Sequence, residues 1–244
     1  MKKLAKFALV ALPLMLLLGV LASFSFDKNE RIKGNGTMKD ESRNATAFED
    51  ISTSGVFKVV IQQGSTHSIK VSAEENLLPY IITDVSGDEL KIHTKKGYSI
   101  DPTRTITVYV TLQKVEKLSA SGAGGFTSNG VLKTDHLELS FSGASDANLD
   151  INAQKLEVGL SGASNVKLKG SSSNAAYRIS GAADISALDL QSQDVEIGIS
   201  GNGKAKVFAE KKLDVRISGV GNVNYKGTPV VTQAVSGMGR ISRI

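Results

Sequence analysis

Residues 137–164 read LELSFSGASDANLDINAQKLEVGLSGAS. The phrase LELSFSGAS at 137–145 returns as LEVGLSGAS at 156–164. Outward from this pair, Ser-Gly recurs at Ser121-Gly122, Ser142-Gly143, Ser161-Gly162, Ser180-Gly181, Ser200-Gly201, Ser218-Gly219 and Ser236-Gly237. The successive spacings are 21, 19, 19, 20, 18 and 18. Common residues pair by chance, but not seven times in near register. The flanks repeat too: Val195-Glu-Ile197 and Leu213-Asp-Val215 precede later pairs, and Leu149, Val166, Ile185, Val207 or Val223 follows.

Each unit of 119–244 thus reads as a short strand, a Ser-Gly turn, a second short strand and a polar corner. It offers four or five inward aliphatics, each contributing about 1.5–3 kcal/mol when buried. Ordering its backbone costs about 1–2 kcal/mol per residue. One unit cannot stand alone, so it must stack on its copies as a solenoid. Strands of adjacent coils then pair in parallel about 4.8 Å apart. The predicted fold is all-β, a right-handed parallel β-helix with 18–21 residues per coil. In it, glycine reaches positive φ at the turn, and stacked serine hydroxyls satisfy backbone groups. A propeller or a hairpin sandwich is the competing architecture, but units taken in pairs make only about three propeller blades.

Upstream, residues 48–118 form a β-strand region continuous with the solenoid. Phe57, Val59 and Ile61 share one parity, as do Ile69 and Val71, Leu90 and Ile92, and Ile106, Val108, Val110 and Leu112. Such alternation places one face in a core. Glu74–Tyr80 breaks the pattern and predicts a helical turn before Pro79. Residues 27–47 are polar and aperiodic, which predicts a flexible linker. Residues 1–26 begin with Lys2, Lys3 and Lys6 and continue as an apolar run, the pattern of a secretory signal peptide or an N-terminal membrane anchor. The body is therefore expected outside the cytoplasm, in the periplasm or at the cell surface.

The chain carries 29 basic and 24 acidic residues, with no cysteine and no tryptophan. Without the three leader lysines the balance is near neutral, and this average carries no footprint for nucleic acid or anionic lipid. No disulfide, thiolate metal site or cysteine nucleophile is possible.

The order of these segments resembles a known family. Val59-Val-Ile61-Gln-Gln-Gly64 is followed by Leu90-Lys-Ile92, Ile106-Thr-Val108-Tyr-Val110, Leu118-Ser-Ala-Ser-Gly122 and the serial Ser-Gly coils. This is similar to the auto-transporter adhesin head domain, the GIN domain, an envelope family common in Bacteroidetes, over about 48–240. The resemblance implies export, a β-helical body and an adhesive or scaffolding role, with no catalytic residues to carry over.

Residues suited to chemistry are few. His67, His93 and His136 have no metal-ligand spacing. Gly201-Asn-Gly203 and Gly219-Val-Gly221 lack the helix and lysine of a phosphate loop. Asp146, Asp150, Asp184, Asp189, Asp194 and Asp214 sit at varied offsets from the Ser-Gly pairs, although Asn165 shares the offset of Asp146 and Asp184. Tyr98, Tyr109, Tyr177 and Tyr225 are scattered and read as packing residues rather than a sugar platform. Seven serines without histidine partners belong to the architecture.

No catalytic, cofactor-binding or metal-ligating residue is expected. The leading expectation is a non-catalytic envelope binding or adhesion module. Its partner would be a surface glycan or an envelope or matrix protein, with no nucleic acid and with membrane contact only through an uncleaved leader. The alternatives are a structural scaffold that self-associates into a homo-oligomer through its ends, and, further off, a glycan-active enzyme.

Overall fold

Every parity singled out upstream of Leu118 is buried in the computed structural model, which describes residues 29–244. The leader expected over 1–26 lies outside the described residues. Strands dominate, with no α-helix among the described residues. The turn expected before Pro79 is a single 3-10 turn, Leu78–Tyr80, with Pro79 inside it rather than after it.

From Gly125 onward the chain is a parallel β-solenoid, and the whole column has about seven turns. Gly125–Phe141, Asp146–Leu160, Asn165–Ile179, Ala182–Ile199 and Asn202–Ile217 each pair in parallel with the next. Val220–Lys226, Val230–Val235 and Met238–Arg243 complete the last rungs, also in parallel. Consecutive units running parallel rules out the propeller.

Strict register turns the repeat into columns. Leu118, Leu139, Val158, Tyr177, Ile197 and Val215 stack in one inward file. Leu137, Leu156, Ala175, Val195 and Leu213 form the neighbouring file. All of these are buried. Where the first file carries bulky Tyr177, its neighbour in the same coil is Ala175, so large and small side chains share the space of one layer. Burial pushes the Tyr177 hydroxyl above its usual pKa.

The region 48–118 continues the same column. Asp50–Gly55 pairs in parallel with Lys117–Gly122, and Phe57–Gln63 with the start of Gly125–Phe141. Glu89–Thr94 and Ile106–Leu112 form the rung beyond. Ser54-Gly55 lies in register with Ser121-Gly122 and is thus an eighth member of the Ser-Gly series. Antiparallel strands Ile81–Ser86 and Ser68–Glu74 then pair with that rung, and Met38–Arg43 pairs with Ser68–Glu74.

The flexible linker expected at 27–47 is therefore corrected in part. Glu30–Lys33 pairs with Tyr98–Asp101, and Met38–Arg43 is a capping edge strand. These segments lack hydrophobic alternation because an edge strand is held by its backbone and stays soluble through its charges. A buried carboxylate helps to hold them. Glu74 is 0% exposed and accepts hydrogen bonds from the Gly36 N–H at 2.6 Å, the Thr103 N–H at 2.8 Å and the Thr103 hydroxyl at 2.7 Å.

Candidate functional site

The Ser-Gly pairs stack as one column along the solenoid. A Cβ built on Gly143 would fall 2.1 Å from the carbonyl oxygen of Gly122, and one on Gly162 would fall 2.0 Å from that of Gly143. Gly181, Gly201, Gly219 and Gly237 repeat the contact at 2.1–2.2 Å. Of the seven glycines only Gly122 has positive φ, at 130°. The expected reason for glycine is thus corrected: from Gly143 to Gly237 it is close approach of stacked backbones, not a left-handed turn.

The serine hydroxyls behave as expected in three coils. Ser142 donates to the Ala120 carbonyl at 3.5 Å, Ser161 to Phe141 and Ser180 to Leu160 at 3.4 Å. Two further serines went unnoticed in the sequence. Ser145 and Ser164 are buried and donate to the carbonyls of Gly122 and Gly143 at 3.3 and 3.2 Å. The recurrence of SGAS was the available signal.

Beside the column of Ser142, Ser161, Ser180, Ser200, Ser218 and Ser236 runs a second outward file. It reads Ser140, Gly159, Arg178, Gly198, Arg216, Ala234 in successive rungs. Glycine at two rungs and alanine at the last leave the sheet surface low. An open groove of about 1050 Å³ follows, running from Ser140 to Ser236. Five rung spacings make it about 24 Å long.

Two arginines stand in the groove two rungs apart, about 9.6 Å on the same spacing. They differ electrostatically. Arg216 donates to Glu196 at 2.9 Å and to Asp214 at 3.0 Å. Arg178 is exposed, and no carboxylate lies within 4 Å of it among the described residues. The groove thus combines a row of hydroxyls, low glycine rungs and one unneutralised guanidinium, which suits an extended ligand carrying acidic groups.

The remaining candidates do not converge. His67 packs edge-on against Phe48 at 5.3 Å, His93 Nδ1 lies 3.0 Å from the Thr94 carbonyl, and His136 Nε2 lies 3.0 Å from Glu157. Asp146, Asn165 and Asp184 share one outward file, with the Asn165 amide donating to Asp146 at 3.1 Å. Lys169 stands between Asp150 and Asp189 in register, and its ammonium is 3.1 Å from Asp150. Asp194 is in register with Asn174 and Lys212. Among the described residues no three His, Asp or Glu side chains are grouped to hold a metal ion.

Glu116 and Glu157 are paired with lysines. A hydrogen bond from Lys114 holds the Glu116 carboxyl below its usual pKa, and one from Lys155 does the same for Glu157. Asp50 goes the other way: partial burial first, then nearby Glu116, raises its pKa.

The tyrosines make no platform. Tyr177 is in the core, Tyr225 packs on its margin, and Tyr98 stacks at a tilt on Tyr80, centroids 4.6 Å apart. Tyr109 is exposed and covered by the Lys70 ammonium at 4.7 Å. Gly203 and Gly221 face Ile179, Ile199 and Ile217, so they leave room for core side chains rather than for phosphate.

With the solenoid and its Ser-Gly file established, the comparisons decide the family. The profile of the family described as "Putative auto-transporter adhesin, head GIN domain" matches residues 47–229. This chain belongs to the GIN-domain family. Solved structures share the fold of this GIN domain. A putative adhesin from Bacteroides fragilis is 24% identical, with a TM-score of 0.83 over 87% of this chain and 100% of its own. A putative adhesin from Parabacteroides merdae is 26% identical, with a TM-score of 0.69 over 88% and 99%. A protein from Parabacteroides distasonis described as a putative lipid binding protein is 24% identical, with a TM-score of 0.73 over 88% and 100%. No curated protein matches the chain.

Proposed function

We propose that this GIN domain is an exported, non-catalytic binding module of the bacterial cell envelope, of the adhesion type. Its contact surface is the groove over Gly159, Arg178 and Gly198. Family membership and the adhesin-like solved structures support the adhesive class. The leader pattern of residues 1–26 supports delivery to the periplasm or the cell surface.

The observation that carries the reading is the groove itself. It is long and shallow, spans six rungs and presents an unpaired arginine. Its ligand is an extended envelope polymer, a surface glycan or a strand-like segment of a protein, with carboxylate or phosphate groups that Arg178 receives.

Arrays of surface glycans, envelope polymers and matrix proteins, probed with the full chain and two variants, test this. Arg178→Ala removes the cation. Gly198→Gln fills the low rung without strain, since a Cβ there meets nothing nearer than the Tyr177 carbonyl at 4.0 Å. Loss of a charge-assisted contact weakens binding about ten- to a hundredfold. If the wild-type chain binds and both variants bind equally well, the groove is not the contact surface. If nothing on the arrays is bound, the module reading fails.

A further inference from the structure

The near-neutral average charge conceals a segregation along the solenoid. From residue 200 onward there are eight Lys or Arg against two acids, Glu210 and Asp214. Residues 119–199 hold five basic against nine acidic, and residues 29–118 hold twelve of each. All eight terminal cations are exposed. Only Arg216 has a carboxylate within 4 Å among the described residues. Lys204 and Arg240 share one outward file through Asn222, with Lys206 two residues along the same strand.

The same end concentrates exposed apolar side chains. Ten large hydrophobics are exposed among the described residues, and six of them are Val220, Val230, Val231, Val235, Met238 and Ile244. Val230 and Met238 are 74% and 72% exposed. The opposite end differs, because its edge strand Met38–Arg43 mixes Lys39 and Arg43 with Asp40 and Glu41.

We propose that the coils from Ser200 onward dock on an anionic lipid surface. The cations face the phosphate groups, and Val230 and Met238 enter the interface between headgroup and acyl chain. Each half of the patch needs the other. Cations alone would suit any polyanion, but a soluble polyanion gains nothing from apolar side chains, whereas a lipid interface rewards both. A second copy of the chain does not fit: its own terminal coils repel these, and its opposite end is electrically balanced. Docking by this end stands the solenoid off the membrane with the groove on its flank. It also departs from the expectation that only the leader meets lipid.

Vesicle partitioning of the full chain tests this, comparing phosphatidylglycerol mixed into phosphatidylcholine with phosphatidylcholine alone. The leader is common to every variant, so the readout is the ratio between the two vesicle types. The triple variant Lys204→Gln, Lys206→Gln, Arg240→Gln lowers that ratio roughly a hundredfold, at about fivefold per cation near the surface. The double variant Val230→Ser, Met238→Ser keeps the charge and also lowers binding to the mixed vesicles. A control triple on the acidic coils, Lys155→Gln, Lys167→Gln, Lys169→Gln, leaves the ratio at wild type. All the exchanged side chains are exposed, and equal melting temperatures confirm intact folding.

The proposal is overturned if the first triple keeps the wild-type ratio or if the control triple loses as much. It is also overturned if the serine pair is neutral while soluble polyphosphate displaces the protein completely, since the end would then be a general polyanion site. None of these outcomes depends on Arg178 or the groove, so this proposal and the groove reading fail separately.

Discussion

At Gly162 a methyl group would sit 2.0 Å from the Gly143 carbonyl oxygen, well inside van der Waals contact. At Gly159, slightly earlier in the same coil, the nearest atom would be the Leu139 carbonyl oxygen at 3.9 Å. Both positions are glycine, yet only the first is required by stacking. Gly162→Ala must push adjacent coils apart or bend them, and an overpacked site of this kind costs about 1–3 kcal/mol. Gly159→Ala stays within about 0.5 kcal/mol of wild type, helped by the smaller entropy of its unfolded chain. Denaturant titration of the two variants checks this, and equal midpoints would refute the stacking argument. The period of the Ser-Gly pairs was legible in the sequence, but the reason for glycine was not. A positive φ and a close backbone approach select the same residue, and they separate only once one knows what lies on the next rung. The groove was hidden for the same cause, because Gly159 and Gly198 are far apart in the chain and become neighbours of Arg178 only through register.

Strands that obey hydrophobic alternation were legible, while strands held by polar contacts were not. Ser54-Gly55 escaped notice because the turns of Ser68–Leu112 separate it from Ser121-Gly122, which breaks the period of the later coils. Met38–Arg43 escaped because it has no apolar face. It lies against Ser68–Glu74, and the turn that precedes it is tied to Glu74. The Glu74 carboxylate is held below its usual pKa chiefly by the Thr103 hydroxyl, with the N–H groups of Gly36, Thr103 and Arg104 assisting and burial opposing. A carboxylate with a depressed folded-state pKa stabilises the fold above its unfolded value, about 4.3. That stabilisation is lost as pH falls through the lower folded value. Glu74→Gln should therefore lower the melting temperature at neutral pH, and the gap to wild type should narrow in acid. Hydrogen exchange supplies the local readout: Met38–Arg43 amides exchange faster in the variant, while those of Asn165–Ile179 do not. A gap that widened on acidification would show that Glu74 does not act as a bound carboxylate.

A column of coils in register resembles a stack in which each layer binds only its two neighbours, so its stability is nearly a sum over interfaces. Chain length then matters less than phase. Removing residues 162–180 takes out one whole coil and joins Ser161 to Gly181, restoring a Ser-Gly pair and bringing Leu160 into register with Ile199. Every inward file keeps its parity, losing one member each, and the solenoid shortens by about 4.8 Å. Removing 162–170 takes out only half a coil, yet it slips the downstream half out of register, and by an odd number of positions. An odd slip moves every buried side chain to the outer face. The larger deletion should fold with a modestly lower melting temperature, and the smaller one should fail to fold or melt far earlier. Circular dichroism melts with small-angle scattering compare them. The large deletion removes Arg178 but none of the cations beyond Ser200, so it should weaken groove binding at least as much as Arg178→Ala while keeping attachment to anionic vesicles. If the shorter deletion proved the more stable, the layers would not be interchangeable, and the column of registered coils that positions both proposed surfaces would lose its physical basis.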